Sequence, residues 1–171
     1  MSSDTGIHFI SYTNAAQILA QTAQIARKNV EKNEVIFSGQ NITIAMAAVE
    51  PHFPDTTFEV TGLINPTIVV PAGAHIKLIL INMDYGSQMD HGVEITNVAP
   101  PYPPFSMMGA PNTFVGIRIL PPRQSENIHA SLYAESSTIF TTPPVGTYYY
   151  LCQYGDHAHR GMYGRFVVQA Q

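Results

Sequence analysis

The stretch Tyr148-Tyr-Tyr-Leu-Cys-Gln-Tyr-Gly-Asp-His-Ala-His-Arg-Gly-Met162 decides how the rest of the chain reads. An apolar, aromatic run leads into a polar segment, and Tyr163-Gly-Arg-Phe-Val-Val168 resumes β character on its far side. The pattern predicts two neighbouring antiparallel strands joined by a loop over residues 152–162, with Gly155 and Gly161 able to turn sharply. Cys152, the only cysteine, ends the first strand; His157 and Met162 follow at C-x4-H-x4-M spacing. That leaves enough chain for the loop to curl and present sulfur, nitrogen and sulfur to a common point. His91, just after Tyr85-Gly-Ser-Gln-Met-Asp90, heads another strand-like run and can close the site from the same end.

A thiolate, two imidazoles and a thioether suit copper, with Cys and two His in a trigonal plane and Met as a long axial ligand. The candidate metal ligands are therefore His91, Cys152, His157 and Met162. Singly, a cysteine or methionine is more often a core residue; the combination at this spacing on a β-rich chain favours the ion. His159 is the alternative imidazole, although only two residues separate it from Met162. A four-ligand centre leaves no open position for substrate, so the expectation is a type 1 (blue) copper electron-transfer protein and not an enzyme. The competing classes are a copper-dependent redox enzyme and a copper delivery protein. His157-Ala-His159 has the H-x-H form of multicopper oxidases, but Leu151 stands where they place histidine, and one cysteine cannot build a binuclear site.

The remaining 34–171 region consists of short β-rich runs separated by Gly, Pro, Asn and Asp, which predicts an all-β sandwich or barrel. Strands are expected near 35–37, 42–49, 58–60, 67–70, 76–82, 92–96, 114–120, 130–133, 147–151 and 163–168. Ahead of them, residues 1–33 read as an extension with one helix, Thr13 to Lys28, capped by Thr13 or Asn14 and packed on the main domain through Ile18, Leu19, Thr22, Ile25 and Ala26. Pro100-Pro-Tyr-Pro-Pro104 and Met107-Met-Gly-Ala-Pro111 form one long proline-stiffened connection, expected to cover something. Phe105, Met107, Met108 and Phe114 are candidates to shield the metal site.

The 171 residues carry 8 Lys/Arg and 12 Asp/Glu, so 12% are charged, about half the roughly 25% of ordinary soluble chains. With a net charge of -4 and no basic cluster, there is no electrostatic footprint for nucleic acid or an anionic membrane. Only 12 carboxylates can be lost to protonation, and 8 Lys/Arg with 7 His cap the positive side-chain charge, which leads to an expectation of acid tolerance. No run is long enough for a membrane span, and residues 1–13 lack the features of a signal peptide. A preceding export or anchor segment is the alternative to a cytosolic chain.

Beyond these physical readings, the chain resembles a cupredoxin. Phe58-Glu-Val60, Asn65-Pro-Thr-Ile-Val-Val-Pro-Ala-Gly-Ala74, Gly146-Thr-Tyr-Tyr-Tyr-Leu-Cys-Gln153 and Gly161-Met-Tyr-Gly-Arg-Phe-Val-Val168 carry the likeness, which runs from about residue 34 to the C-terminus. It implies a Greek-key cupredoxin-like β-sandwich with an N-terminal helical extension, and a copper site of His91, Cys152 and His157 with axial Met162. It further implies a monomeric, periplasmic or otherwise extracytoplasmic carrier of acidophiles, exchanging electrons with a c-type cytochrome or a terminal oxidase. Three departures stand out: Gly155-Asp156 in place of Pro-Gly, His159-Arg160 in place of small residues, and Gly92 in place of a serine or asparagine. With only a backbone N–H at Gly92 near the thiolate, a reduction potential below that of its relatives is expected.

Overall fold

In the computed structural model, which describes residues 5–171, two β-sheets face each other across one core. The first runs in the order β1 (His8–Ser11), β11 (Leu132–Thr141), β8 (His75–Asn82), β4 (Asn41–Ala48), β5 (Phe58–Val60) and β6 (Leu63–Ile64). The second is β10 (Thr113–Leu120), β9 (His91–Thr96), β12 (Gly146–Leu151), β13 (Tyr163–Gln169), β7 (Thr67–Pro71), β3 (Glu34–Ile36) and β2 (Arg27–Asn29). β4 with β8, β13 with β7, and β3 with β7 are parallel; the other pairs are antiparallel. Residues 1–4, the start of the expected extension over 1–33, lie outside the described residues.

Alternation explains the core. Ile42, Ile44, Met46, Ile76, Leu78 and Leu80 point between the sheets and meet Val93, Ile95, Tyr150, Phe166 and Val168 from the other side. At the beginnings of β4 and β8 the intervening residues Asn41, Thr43, His75 and Lys77 are exposed; further along, both faces are buried. The outer face there is Ala45, Ala47, Ile79 and Ile81, covered by Ala15, Ile18 and Leu19 of α1 (Tyr12–Ile25). Small alanines let the helix approach. Buried Thr22 ties it to the sheet edge-on, its hydroxyl accepting from Ala45 N at 2.8 Å and donating to Thr43 O at 3.3 Å.

Several sequence expectations shift. The helix cap is Ser11, whose Oγ accepts from Asn14 N, and not Thr13 or Asn14. The helix stops at Ile25, short of Lys28, because Arg27–Asn29 pair with Glu34–Ile36 as a hairpin at the edge of the second sheet. Ile25 is consequently exposed, while Ala15 supplies the buried contact. The strand expected at 130–133 begins at Leu132 and runs to Thr141; Ser136, Ser137 and Thr138, outside the expected strands, sit in continuous register with β8.

Candidate metal centre

β12 and β13 form the expected antiparallel pair, with Leu151 opposite Tyr163, so residues 152–162 close as a loop at one end of the sandwich. Backbone hydrogen bonds make the loop compact: Cys152 N donates to Met162 O, and Met162 N to His157 O, both at 3.0 Å. Arg160 N to Asp156 O and Gly161 N to Ala158 O complete the turns. Gly155 at φ +50 and Gly161 at φ +102 occupy the left-handed backbone region that favours glycine. Asn65, between β6 and β7, donates from its amide to Gly161 O and fixes the loop's exit to a neighbouring strand connection.

His91 enters at the head of β9, paired with Leu120 of β10. Its Nδ1 lies 3.7 Å from Cys152 Sγ, and His157 Nδ1 lies 3.5 Å from the same sulfur. One ligand atom from each of His91, Cys152 and His157 falls within 4.8 Å of the others, and all three residues are buried. Met162 is fully buried in the same apolar cluster as Cys152. His159 is elsewhere: it is exposed, and its Nδ1–H donates to Tyr102 O at 2.9 Å.

The electrostatics suit a cation. Burial pushes the Cys152 thiol up to about 11, against the opposing effect of the Tyr154 and Gly92 backbone N–H groups directed at the sulfur. A metal must therefore displace a proton that water alone does not remove. Burial, and then the neighbouring His91 ring, lower His157 to about 4. Its ring stays neutral, with a lone pair to offer, well into acid. Soft sulfur and two neutral ring nitrogens, gathered without any acidic ligand, fit copper and exclude a hard oxygen-seeking cation.

The 97–112 connection lies over this loop. Met107 N and Ser106 Oγ both donate to Gln153 O, while Tyr102 packs edge-on against Tyr163 at 5.2 Å. Tyr102 and Met107 share a cluster with Leu151 and Ala158. Of the four proposed shielding residues, only Met107 is buried; Phe105 and Met108 face solvent, and Phe114 stacks on Phe140 and Tyr148 instead. β10 ends the sheet, so its outward side chains have no neighbouring strand to bury them.

Sequence reasoning missed two residues. Asp84 Oδ2 sits 2.8 Å from His91 Nε2. Gln153 fills the space a side chain at position 92 would occupy: a Cβ there would lie 2.6 Å from its Nε2. Neither carries a local signal, since both act through folding contacts.

Two facing sheets and a buried Cys-His-His cluster, built from one loop and the head of a neighbouring strand, define the chain as a cupredoxin with a mononuclear blue copper site. No family model matches it. A rusticyanin of Acidithiobacillus ferrooxidans is 35% identical over 141 residues, covering 82% of this chain and 70% of the relative. Another rusticyanin of the same species is 34% identical over 155 residues, covering 88% and 93%. Among solved structures, a point variant of rusticyanin superposes with TM-score 0.82 at 28% identity over 97% of this chain and 99% of the other. Rusticyanin from Thiobacillus ferrooxidans gives 0.79 at 29% identity, covering 98% and 100%. The chain belongs to the rusticyanin family: it is an electron-transfer copper protein and not an enzyme.

Proposed function

We propose that His91, Cys152 and His157 hold a single copper, that Met162 completes the site as a weak axial ligand, and that the protein shuttles electrons outside the cytoplasm of an acidophile. The observation that carries this reading is the convergence of two Nδ1 atoms on one buried thiol, at 3.5 and 3.7 Å. Bound copper supplies one-electron exchange between its cupric and cuprous states. The chain holds the donors in place beforehand, through the loop's backbone bonds and the strand pairing behind them, so little has to move when the charge changes.

Acidity fits the chain's own groups. His157 remains neutral to about pH 4 and can ligate where an ordinary imidazole would be protonated. Buried Glu59 is pushed up to about 8, chiefly by burial, so it is uncharged in acid. Its contacts agree: the single Thr57 hydroxyl proton has two oxygens at 2.6 Å, Pro54 O and Glu59 Oε1, and a protonated carboxyl relieves the conflict by donating one.

Buried His157 belongs to a loop whose exposed Arg160 and Asp156 side chains lie 3.9 Å apart and offset each other's charge. Phe105 and Met108 add exposed apolar area on the covering segment. A nearly neutral rim suits a short-lived encounter with a redox partner; a c-type cytochrome or a terminal oxidase, met by a monomer in the periplasm, is the partner we assign. The visible and EPR spectra of the copper-loaded protein test the centre. An intense thiolate charge-transfer band with a narrow copper hyperfine splitting is expected, and a colourless sample rejects the reading.

A further inference from the structure

We propose that Asp84 is a positioning residue of the metal centre: its carboxylate fixes the His91 tautomer that turns a bare Nδ1 toward Cys152, and it places a negative charge one ring away from the ion, favouring the cupric state. The inference rests on the copper reading of His91, Cys152 and His157.

With Asp84 as a carboxylate, the contact admits one arrangement of protons. His91 Nε2 and Asp84 Oδ2 are 2.8 Å apart, with the imidazole fully buried and the Asp84 side chain 7% exposed. A carboxylate accepts, so Nε2 carries the hydrogen, and a neutral imidazole then has only a lone pair at Nδ1. That atom faces Cys152 Sγ. With no partner at Nε2 the ring could take either tautomer, and the one protonated at Nδ1 cannot bind a metal through that atom.

Asp84 is itself held from every side. Its Oδ1 accepts from Tyr85 N at 2.8 Å, its N donates to Asn82 Oδ1 at 3.0 Å, and its C=O accepts from Arg123 N at 2.9 Å. Fully buried Asn82 gives its amide to Met89 O and Leu120 O, tying down both the loop ahead of His91 and the end of β10. The Arg123 guanidinium donates to the carbonyls of Met83, Ser125 and Glu126 and stacks on Tyr85, so it is engaged with backbone and not with the Asp84 carboxylate. The charge on Asp84 is thus presented to the ring, and through it to whatever cation Nδ1 holds. A buried charge needs such a partner. A carboxylate behind a ligating histidine also raises the ring's basicity, and both effects favour the more highly charged ion.

The test uses the full chain, with Asp84→Asn to keep an acceptor and remove the charge, and Asp84→Ala to remove both. For Asp84→Asn we expect the visible band to persist and the Cu(II)-to-Cu(I) affinity ratio to fall about tenfold, which is a rise of about 59 mV for a one-electron couple. For Asp84→Ala we expect a mixture of His91 tautomers in the metal-free protein, read by 15N NMR, and copper affinity lower by about 10- to 100-fold. An unmoved potential in Asp84→Asn, or an unchanged tautomer in Asp84→Ala, overturns the proposal. Should the variants not fold, the metal-free wild type decides: a His91 ring protonated at Nε2 supports it, and one protonated at Nδ1 refutes it. A colourless wild type breaks the copper reading and takes this proposal with it; a blue wild type whose potential matches that of Asp84→Asn breaks the proposal alone.

Discussion

The end of the sandwich that carries His91, Cys152 and His157 and the shoulder where α1 covers β4 and β8 both bury polar groups, but they do so differently. At the helix-covered shoulder, polar groups are satisfied in ways that add to stability: Thr22 bridges helix and strand, and Glu59 sits uncharged between Thr57 and the Glu50 backbone. At the metal end, Asp84 satisfies His91 Nε2, but the Cys152 sulfur and the Nδ1 atoms of both imidazoles face one another at 3.5 and 3.7 Å, longer than the 2.8 Å contact behind the ring. Without a cation that cluster is a poor use of buried space, since desolvated polar groups cost free energy unless paired. The contrast shows where the fold has been shaped for chemistry and where for cohesion.

The comparison breaks most completely at Cys152. Cys152→Ala leaves two imidazoles and no thiolate, and the intense visible band should vanish altogether, as judged by absorption after copper addition. His157→Ala should abolish or strongly weaken the same band, while His159→Ala should leave it intact, because His159 is exposed and bonded to Tyr102 O. The reverse result would reassign the ligand.

On the shoulder side the largest effect should come from Glu59. Its folded value is raised from 4.5 to about 8, so the folded state binds this proton more tightly than the unfolded chain does. Its contribution is complete below about pH 4.5 and is lost as pH climbs towards 8, by about 5 kcal/mol at most. Urea titrations of wild type and Glu59→Gln across that interval should show wild type losing stability as pH rises, with the variant markedly flatter. Parallel curves would show that Glu59 does not set the pH dependence of stability.

Smaller effects sharpen the contrast further. Thr22→Val should destabilise the protein by about 2 kcal/mol, since Ala45 N loses its buried acceptor, and copper spectra should not change. Gly92→Ala places a methyl group against the Gln153 amide; about 1 kcal/mol of overpacking is expected, together with a shift in the copper band, because Gln153 directly follows Cys152. Thermal melts and spectra of the same samples separate the two regions: the shoulder variant moves only the melt, whereas the variant at Gly92 moves both.

Much of this was legible in the chain. Strict alternation at Ile42, Ile44, Ile76 and Leu78 announces strands with one buried face, and the C-x4-H-x4-M run announces a donor loop between two of them. The hairpin Arg27–Asn29 with Glu34–Ile36 was hidden, because Arg and Lys suit a helix locally and only an available sheet edge makes the strand preferable. The serine-rich middle of β11 was hidden for the same reason: its register with β8 outweighs weak β propensity.

By itself, the sequence determined the class of ion, since the kinds of donor atom and their spacing along one loop are properties of covalent order. Only the tertiary structure decided which imidazole faces the sulfur and which is turned to Tyr102, what fills the space beside Gly92, and that Asp84 stands behind His91. Those outcomes depend on strands far apart in the chain meeting in register, and on hydrogen-bond directions that no local pattern encodes.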